Sequence, residues 1–507
     1  MSLSAPSGTP PAVASTGIPG LDDVLAGGLP ANRLYLVHGH PGTGKTTLAL
    51  QFLLEGRRLG EHGLYITLSE TTEELQTVAL SHGWSLEGIE LVELSTLEDR
   101  LRSVAQTTML HPAEHELGRT TRLIEERVIA TNPRRVVFDS LSEMRLMAQN
   151  SLRYRRQILS IKSFLAPRSC TVLLLDDQTE ADQAQVESLA HGVIELQHLR
   201  PDFGAERRRL SVVKLRGVRF RGGYHDYVIN PGGLNVFPRL VASEHGDIEF
   251  ARTPVKSGVD ELDHLLGGGI DPGTSTLFIG PAGAGKSTVA LHYAMTAARD
   301  ARGPCALFAF EEVLASIKTR SRGLGLAIDD AVESGALLLK QVDPAELSPG
   351  EFASIVRRLV EQQGVRMVII DSINGYLNSM PGELHQVVQL HELLTYLAQR
   401  GVVTLLVMAQ HGVIGTMQSP VDVTYLADTV VLLRYFEHRG AIKKAISVVK
   451  KRSGYHEPTL RELRFGAVDG MGVQIGPPLD DFRGLLSGVP VYTGDGGHIM
   501  ATAVDRE

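Results

Sequence analysis

The chain has 507 residues, with 50 Lys and Arg against 58 Asp and Glu, a formal net charge of −8 and 43% hydrophobic residues. This length predicts two to four domains that each bury a core, and it excludes a disordered chain. The acidic balance argues against a protein that mainly coats nucleic acid. No apolar run approaches the roughly 18 residues that span a bilayer, so we expect no membrane segment.

The N-terminal residues 1–15 contain Pro, Ser and Gly but neither the cationic start nor the apolar block of a signal peptide. They predict a flexible tail on a cytoplasmic protein. The only two cysteines, Cys170 and Cys305, lie within apolar runs. We therefore expect buried free thiols in a reducing compartment rather than a disulfide or metal framework.

An internal repeat organises the rest of the chain. The segment 17–28 recurs at 258–269, and the same offset separates Lys45 from Lys286 in the next motif. The sequence predicts a first domain over 16–242, a boundary in the region 236–252, a second domain over 250–489 and a C-terminal tail over 490–507.

Within each copy, short runs of Val, Ile, Leu and Phe alternate with longer stretches of helical periodicity. This is the pattern of a mainly parallel β-sheet flanked by helices. The sequence therefore predicts an α/β protein made of two similar domains. The predicted strands cover 33–38, 64–68, 135–139 and 171–175 in the first copy and 276–279, 306–310, 367–371 and 402–407 in the second.

The first predicted strand of each copy leads into the pattern G-x-x-x-x-G-K-[ST], which opens a helix. In this motif, glycines let backbone N–H groups point at phosphate oxygens, the lysine bridges the β- and γ-phosphates, and the hydroxyl binds Mg²⁺. We expect ATP and Mg²⁺ at both sites. The predicted ATP-binding residues are Gly39, Gly42, Thr43, Gly44, Lys45, Thr46 and Thr47, and Gly280, Gly283, Ala284, Gly285, Lys286, Ser287 and Thr288.

A later apolar strand ends in an acid in both copies, at Asp139 and at Asp371. Behind a P-loop, a carboxylate at this strand end holds Mg²⁺ directly or through water. The predicted metal-binding residues are therefore Thr46 and Asp139 in the first copy, and Ser287 and Asp371 in the second.

A catalytic carboxylate is expected at the end of the strand after the P-loop helix, where it can orient or deprotonate the attacking water. Glu70 and Glu311 follow their P-loop lysines at equal spacing, which favours matching Glu70 to Glu311. The second copy carries the pair Glu311-Glu312, whereas the first carries Ser69-Glu70. If the strand pattern is followed instead, Glu70 matches Glu312 and Ser69 takes the base position. A solvated acid at a strand end is the structural alternative for Glu70.

Two glutamines, Gln178 and Gln410, close the next predicted strand of each copy. An amide at this position could sense whether the γ-phosphate is present. An ordinary loop glutamine explains the pattern equally well.

A basic strand end recurs late in each copy. It consists of Lys214, Leu215 and Arg216 in the first copy, and Lys450 and Arg452 stand at the corresponding positions in the second. No arginine follows closely behind either P-loop, so an arginine from a neighbouring subunit could complete each site. A solvated basic hairpin or a contact to nucleic-acid phosphate are the alternatives.

Together these motifs resemble the KaiC family of RecA-like ATPases over about residues 16–489. The resemblance implies two tandem RecA-like P-loop NTPase domains in a double-ring homohexamer, with ATP between subunits. It also implies slow ATP hydrolysis and serine/threonine autokinase activity in the second ring. The resemblance implies that the residues in contact with the neighbour's ATP in trans are the basic Lys214, Arg216, Lys450 and Arg452, together with Leu215 between the first two.

The sequence departs from the clock protein at the phosphorylation segment, where Thr424 and Tyr425 stand in place of an adjacent Ser-Thr pair. Thr424 is the candidate acceptor, with Glu311 as its base, and Tyr425 is a second, larger candidate. The short polar C-terminal tail gives little basis for the usual clock partners. We therefore expect a signalling ATPase outside a full oscillator, with clock or two-component proteins as possible partners and without membrane or nucleic acid.

Two other functional classes fit parts of the pattern. A RecA-like or helicase-like motor acting on DNA shares the P-loop core, but the net charge of −8 counts against it. A scaffold that uses ATP only to join subunits is favoured in the first copy by Ser69.

Overall fold

The computed structural model describes most of the chain, and the division into two compact units falls between Arg239 and Leu240. The described residues are 12–94, 112–148, 150–177, 183–200, 204–246, 248–300, 302–378, 386–410, 423–466, 472–485 and 491–493.

The first unit contains a large sheet, one small strand pair and helices between the strands. Its strands are β1 (Val13–Ala14), β2 (Leu29–Pro30), β3 (Leu34–Gly39), β4 (Gly63–Thr67), β5 (Ile89–Glu93), β6 (Arg135–Asp139), β7 (Thr171–Asp177), β8 (Gly192–Leu199), β9 (Arg207–Leu215), β10 (Tyr224–Asn230) and β11 (Gly233–Phe237). Its α-helices are Pro19–Val24, Lys45–Arg58, Thr72–Ser81, Pro112–Thr131, Leu141–Ala148, Ser151–Leu165 and Gln183–Leu189.

The second unit repeats this composition. Its strands are β12 (Ser275–Gly280), β13 (Cys305–Ala309), β14 (Leu337–Gln341), β15 (Met367–Asp371), β16 (Val403–Ala409), β17 (Thr429–His438), β18 (Ala441–Lys451), β19 (Arg461–Phe465), β20 (Val473–Pro478), β21 (Phe482–Arg483) and β22 (Val491–Tyr492). Its α-helices are Asp260–Leu265, Lys286–Arg299, Leu314–Gly323, Ile328–Glu333, Pro349–Gln363, Ile373–Asn378 and Gln386–Gln399.

The two large sheets have the same nine-stranded topology. The first has the order β11-β10-β9-β8-β3-β7-β6-β4-β5 and the second, read from the matching edge, β20-β19-β18-β17-β12-β16-β15-β13-β14. In each sheet the six strands from β8 to β5, or from β17 to β14, are parallel and the remaining pairings are antiparallel. The predicted α/β class with two tandem RecA-like domains is confirmed.

The predicted strands are the central strands of each sheet, observed within two residues of their expected ends. They are buried on both faces because helices cover the parallel part of each sheet, which explains their continuous apolar sequences. Each sheet therefore has two core clusters, one per face. In this arrangement β3 and β12, whose C-terminal ends lead into the P-loops, each lie between two parallel neighbours.

The structure moves three of the predicted domain limits. Val13 and Ala14, assigned to the N-terminal tail, pair with β2 because their backbone completes a small antiparallel ladder. Leu240 and Ala242, assigned to the first domain, pack in a core of the second unit. Val491 and Tyr492, assigned to the C-terminal tail, pair with β21, where the Tyr492 ring packs on Phe482.

Both cysteines are buried free thiols, as predicted, and burial raises the pKa of each. Within the described ranges, no helix combines the length and apolar character that crossing a membrane requires.

Candidate nucleotide sites

Each P-loop turns through a glycine that no other residue could replace without displacing a neighbour. Gly44 (φ 95°) and Gly285 (φ 103°) lie in the left-handed region and begin the following helices. A Cβ on Gly44 would lie 2.6 Å from Ile229 Cδ1, and one on Gly285 would lie 2.1 Å from Phe465 Cζ. These glycines let the backbone curl so that the N-terminus of a 14-residue helix faces the loop, an arrangement suited to phosphate.

In the first site the P-loop lysine has a carboxylate partner. Lys45 Nζ donates to the carbonyl oxygens of Gly39 at 2.7 Å and His40 at 3.2 Å. It also forms an ion pair with Asp177 Oδ1 at 2.9 Å. The side chain of Lys45 is only 9% exposed, whereas that of Asp177 is 39% exposed.

The predicted metal residues meet in both copies. The Thr46 hydroxyl donates to Asp139 Oδ2 at 3.3 Å, and the Tyr65 hydroxyl donates to the same oxygen. The Ser287 hydroxyl hydrogen-bonds to Asp371 in the same way. Burial raises the pKa of both carboxyl groups, so each favours a cation that would restore its charge. A hydroxyl and a carboxylate are hard oxygen donors, which fits Mg²⁺.

The second site is a cavity of about 440 Å³ that contains most of the residues predicted for it. Lys286 Nζ donates to the carbonyl oxygens of Gly280 at 3.0 Å and Pro281 at 2.7 Å. Burial lowers the pKa of Lys286 to about 8, and an added anionic phosphate would favour its charged form. The lining residues include Gly283, Gly285, Lys286, Ser287, Thr288, Glu311, Glu312 and Asp371.

The two glutamates of the second site have different partners. Glu311 Oε1 accepts a hydrogen bond from the Ser372 hydroxyl at 2.8 Å, beside Asp371. Both carboxylate oxygens of Glu312 accept from Arg320 Nη1, at 2.6 and 2.7 Å. Glu311 is thus held by a neutral donor, whereas both carboxylate oxygens of Glu312 are engaged by a cation.

Backbone register matches Glu70 to Glu312. Leu68 N donates to Asp139 O at 2.7 Å, and Phe310 N donates to Asp371 O at 2.7 Å, so Leu68 and Phe310 are counterparts. Counting one residue further pairs Ser69 with the Glu311 position. The equal spacing from the lysines arises because the second copy has one more residue between its P-loop helix and β13.

Glu70 nevertheless lies in the first site. Burial, reinforced by the Asp139 carboxylate, raises the pKa of Glu70 to about 7. Its Oε2 atom is buried and has no hydrogen-bond partner among the residues placed by the structure. Val78 occupies the helix position that corresponds to Arg320, so Glu70 lacks the cation that Glu312 has.

The two sensor candidates cannot be compared directly, because Gln178 lies outside the described residues. Gln410 follows β16, and its backbone N–H donates to Gly280 O at 3.0 Å. Its side-chain Oε1 is buried, and no donor in the described part of the chain reaches it. Gln410 is therefore positioned beside the second P-loop with an acceptor available.

The basic residues lie at one end of the strands of each sheet, and the P-loop lies at the other end. β9 and β18 run antiparallel to β8 and β17, which are parallel to the P-loop strands. Lys214 and Lys450, near the C-terminal ends of β9 and β18, therefore face the starts of their neighbours. β12 spans six residues, about 20 Å, so neither basic group reaches the P-loop of its own copy.

At that end of the strands the basic side chains bind backbone carbonyls. The Lys214 ammonium donates to Glu187 O, and Arg216 Nη2 donates to Ser188 O at 3.1 Å. Leu215 between them is buried, so only the two flanking side chains are placed for a charged ligand.

The phospho-acceptor candidates lie beside the second basic pair. Lys450 Nζ donates to Thr424 O at 2.9 Å, and Arg452 Nη2 donates to Tyr425 O at 2.8 Å. Thr424 is partly buried and Tyr425 is 55% exposed. Both precede β17 and hence lie at the end of the strands opposite Glu311, so that base and acceptor do not meet within one chain.

Sequence reasoning missed four side chains of these sites. Asp177 could have been found by extending the repeat, since the offset that relates Gln178 to Gln410 also relates Asp177 to Ala409. Arg320 lies on the helix after Glu312, and Lys444 Nζ lies 4.9 Å from the ring centroid of Phe465 at the cavity wall. No local sequence motif predicts Arg320, Lys444 or Phe465 as residues of the site.

Comparison with known proteins agrees with this geometry. A family model described as "ATPase: KaiC" matches residues 14–241 and again 255–479. The circadian clock protein KaiC3 of Synechocystis sp. is 25% identical over 94% of each chain. The circadian clock oscillator protein KaiC of Parathermosynechococcus lividus is 26% identical over 94% of this chain and 87% of its own, and that of Synechococcus elongatus is 25% identical over 94% and 91%.

Proposed function

Since the chain belongs to the KaiC family of ATPases and binds ATP, we propose that it is a Mg²⁺-dependent ATPase of two unequal sites that assembles as a double-ring homohexamer. The second site also acts as a serine/threonine autokinase. The observation that carries the proposal is the recurrence, in both copies, of a P-loop lysine next to a hydroxyl–carboxylate pair.

In each site the P-loop binds the phosphates and orients the γ-phosphoryl group. The helix N-terminus and Lys45 or Lys286 attract its negative charge. Mg²⁺, when bound through Thr46 or Ser287 and the strand-end aspartate, neutralises phosphate charge. In the second site Glu311 accepts the proton of the attacking water, while the Ser372 hydroxyl keeps its carboxylate in place.

The position of the basic groups supports the proposed assembly. Because Arg216 and Arg452 are at the end of the strands opposite their own P-loops, they suit the site of a neighbouring subunit. A ring of identical head-to-tail contacts satisfies every site in this way. ATP at each boundary would then stabilise the hexamer.

The autokinase step uses the same boundary. Thr424 Oγ1 of one subunit attacks the γ-phosphorus of ATP bound to its neighbour, and Glu311 of that neighbour takes the hydroxyl proton. The bond from the γ-phosphorus to the β,γ-bridging oxygen breaks, ADP leaves, and a phosphothreonine remains. The position of Thr424 beside Lys450 and Arg452 supports this role, with Tyr425 as the exposed alternative acceptor.

The relatives are named circadian clock proteins, and we extend to this chain a cytoplasmic signalling role. Clock or two-component proteins are the partners to test. A pull-down of clock-type or response-regulator proteins with and without ATP would detect such binding.

Nucleotide-dependent mass in solution tests assembly, and steady-state hydrolysis tests the enzyme. With ATP and Mg²⁺ we expect six times the 55.0 kDa chain and turnover that falls with Lys45→Ala or Lys286→Ala and disappears in the double variant. Arg216→Ala and Arg452→Ala should weaken assembly at constant nucleotide binding. A double variant that still hydrolyses ATP would refute the assignment of the sites.

Phosphopeptide mass spectrometry after incubation with ATP and Mg²⁺ tests the kinase. We expect phosphate on Thr424 in the wild type, and none there after Glu311→Gln. Thr424→Ala is the control that separates this residue from Tyr425. Absence of phosphate on the whole 423–428 segment would leave an ATPase without autokinase activity.

A further inference from the structure

The two P-loop lysines differ in one ionic contact. Lys45 pairs with Asp177 at 2.9 Å, whereas no acid in the described part of the chain forms an ion pair with Lys286. The difference comes from one strand position. Asp177 stands beside Gly39 in the parallel ladder of β3 and β7, and Ala409 stands beside Gly280 in the ladder of β12 and β16.

In the first copy, the side chain of Ser142 holds both the backbone and the carboxylate of Asp177. Asp177 N donates to Ser142 Oγ at 3.1 Å, and the Ser142 hydroxyl lies 3.3 Å from Asp177 Oδ2. In the second copy, Asn374 exchanges hydrogen bonds with the main chain of Ala409. In both copies a side chain thus holds the main chain of this strand residue by hydrogen bonds, and the residue carries a carboxylate in one site and a methyl group in the other.

The adjacent acid does not share the lysine. Asp176 is buried and its carboxylate is paired with Arg145, whose guanidinium also lies over the Tyr154 ring. The negative charge of Asp177 is therefore directed at Lys45, 2.9 Å away on the P-loop side of the sheet.

This carboxylate competes with phosphate. A P-loop lysine bridges the β- and γ-phosphates of ATP but meets only the β-phosphate of ADP. The γ-phosphate must therefore approach the same ammonium that Asp177 already neutralises, and two anions at one cation repel each other. When ADP is bound, no γ-phosphate approaches Lys45, so Asp177 can keep its ion pair with this lysine.

We propose that Asp177 is a specificity-determining residue that shifts the first site towards ADP, relative to the second site with Ala409. The inference rests on the proposed function, because it presumes that Lys45 binds nucleotide phosphates. It assigns to the first site a slower exchange of ADP for ATP.

Equilibrium binding to the full chain tests this inference. Lys286→Ala silences the second site, and the affinities of ADP and of a β,γ-imido analogue of ATP are measured with Mg²⁺. Adding Asp177→Ala should tighten the analogue about fivefold, the scale of one half-exposed charge pair, and change ADP by less than about twofold. Asp177→Asn keeps the size and removes the charge, so it should act in the same direction.

The reciprocal change guards against a folding defect. In a Lys45→Ala background, Ala409→Asp should weaken the analogue at the second site about fivefold and change ADP less. Both effects should shrink at high salt, because a half-exposed pair is screened. An unchanged ratio of analogue to ADP affinity in Asp177→Ala and Asp177→Asn would overturn the inference. Absence of nucleotide binding in every variant, including Lys286→Ala alone, would refute the proposed function instead.

Discussion

The first and second nucleotide sites share a backbone and differ in where their charges are paired. In the first, the P-loop lysine is paired with Asp177, and Val78 stands at the helix position from which Arg320 contacts Glu312 in the second. In the second, Lys286 donates to two backbone carbonyls without an ion-pair partner among the described residues, and Glu312 is paired with Arg320. The charges of the second site are arranged to act on an added phosphate, whereas those of the first partly satisfy one another.

The largest expected difference between the sites is in catalysis. With the other site silenced by its lysine variant, Glu311→Gln should lower second-site turnover by about 10³-fold, because it removes a general base. Glu70→Gln should lower first-site turnover by less than about tenfold, since Glu70 lies in the Glu312 register and Ser69 holds the base position. Glu312→Gln is the matched control, with a similarly small effect. Equal losses in Glu70→Gln and Glu311→Gln would show that the two sites use the same base position.

The P-loops and strand-end acids could be predicted because each is a local feature. A loop that curls around phosphate needs glycines at fixed positions, and Asp139 and Asp371 end strands that are apolar on both faces. The three strands β9, β10 and β11, which complete the first sheet by antiparallel pairing, are harder to recognise, because strands such as β9 alternate buried and partly exposed residues and carry several arginines.

The match of Glu70 could not be settled by counting from Lys45. A loop length intervenes, and one additional residue in the second copy shifts the frame. The pairing of Asp177 with Lys45 depends on two strands that are far apart in sequence. Such contacts become visible only when the sheet order is known.

A second difference concerns stability at the start of β6 and β15. Arg135 is 1% exposed in the first copy, where the second has Met367. Its guanidinium pairs with Glu61 at 2.5 Å and donates to Ser15 O at 2.6 Å and Phe52 O at 2.7 Å. Arg135→Ala should lower the free energy of unfolding of the first unit by about 3 kcal/mol, because buried acceptors lose their donor.

Fluorescence of Trp84, the single tryptophan, reports unfolding of the first unit in denaturant. Arg135→Met fills the space as the second copy does and should lose only about half as much free energy. Arg134→Ala, at the exposed neighbour, is the control and should change little. Equal losses for Ala and Met would show that hydrogen bonding, and not volume, decides the stability here.

The buried carboxyl group of Glu70 predicts a pH dependence of the stability of the first unit. Its pKa in the folded, nucleotide-free chain is about 7, above the usual 4.5, so folding favours its protonated form. Wild type should therefore lose stability relative to Glu70→Gln as pH rises from 4.5 to 7, by about 1–2 kcal/mol after allowance for partial exposure. The Trp84 transition measured at pH 5 and pH 8 checks the sign; a constant difference between the two proteins would contradict it.

The smallest expected effect comes from giving Glu70 the partner that Glu312 has. Val78 lies at the helix position of Arg320 and is partly buried at the edge of the core. Val78→Arg can lay its methylene groups over that apolar edge and place its guanidinium near Glu70. The Trp84 transition should then gain about 0.5–1 kcal/mol at pH 8 and nothing at pH 5, because only the ionised carboxylate attracts the arginine. Val78→Met, which has similar length without the charge, separates the two contributions: a gain of the same size at both pH values would assign the effect to packing and remove the argument that charge pairing distinguishes the sites.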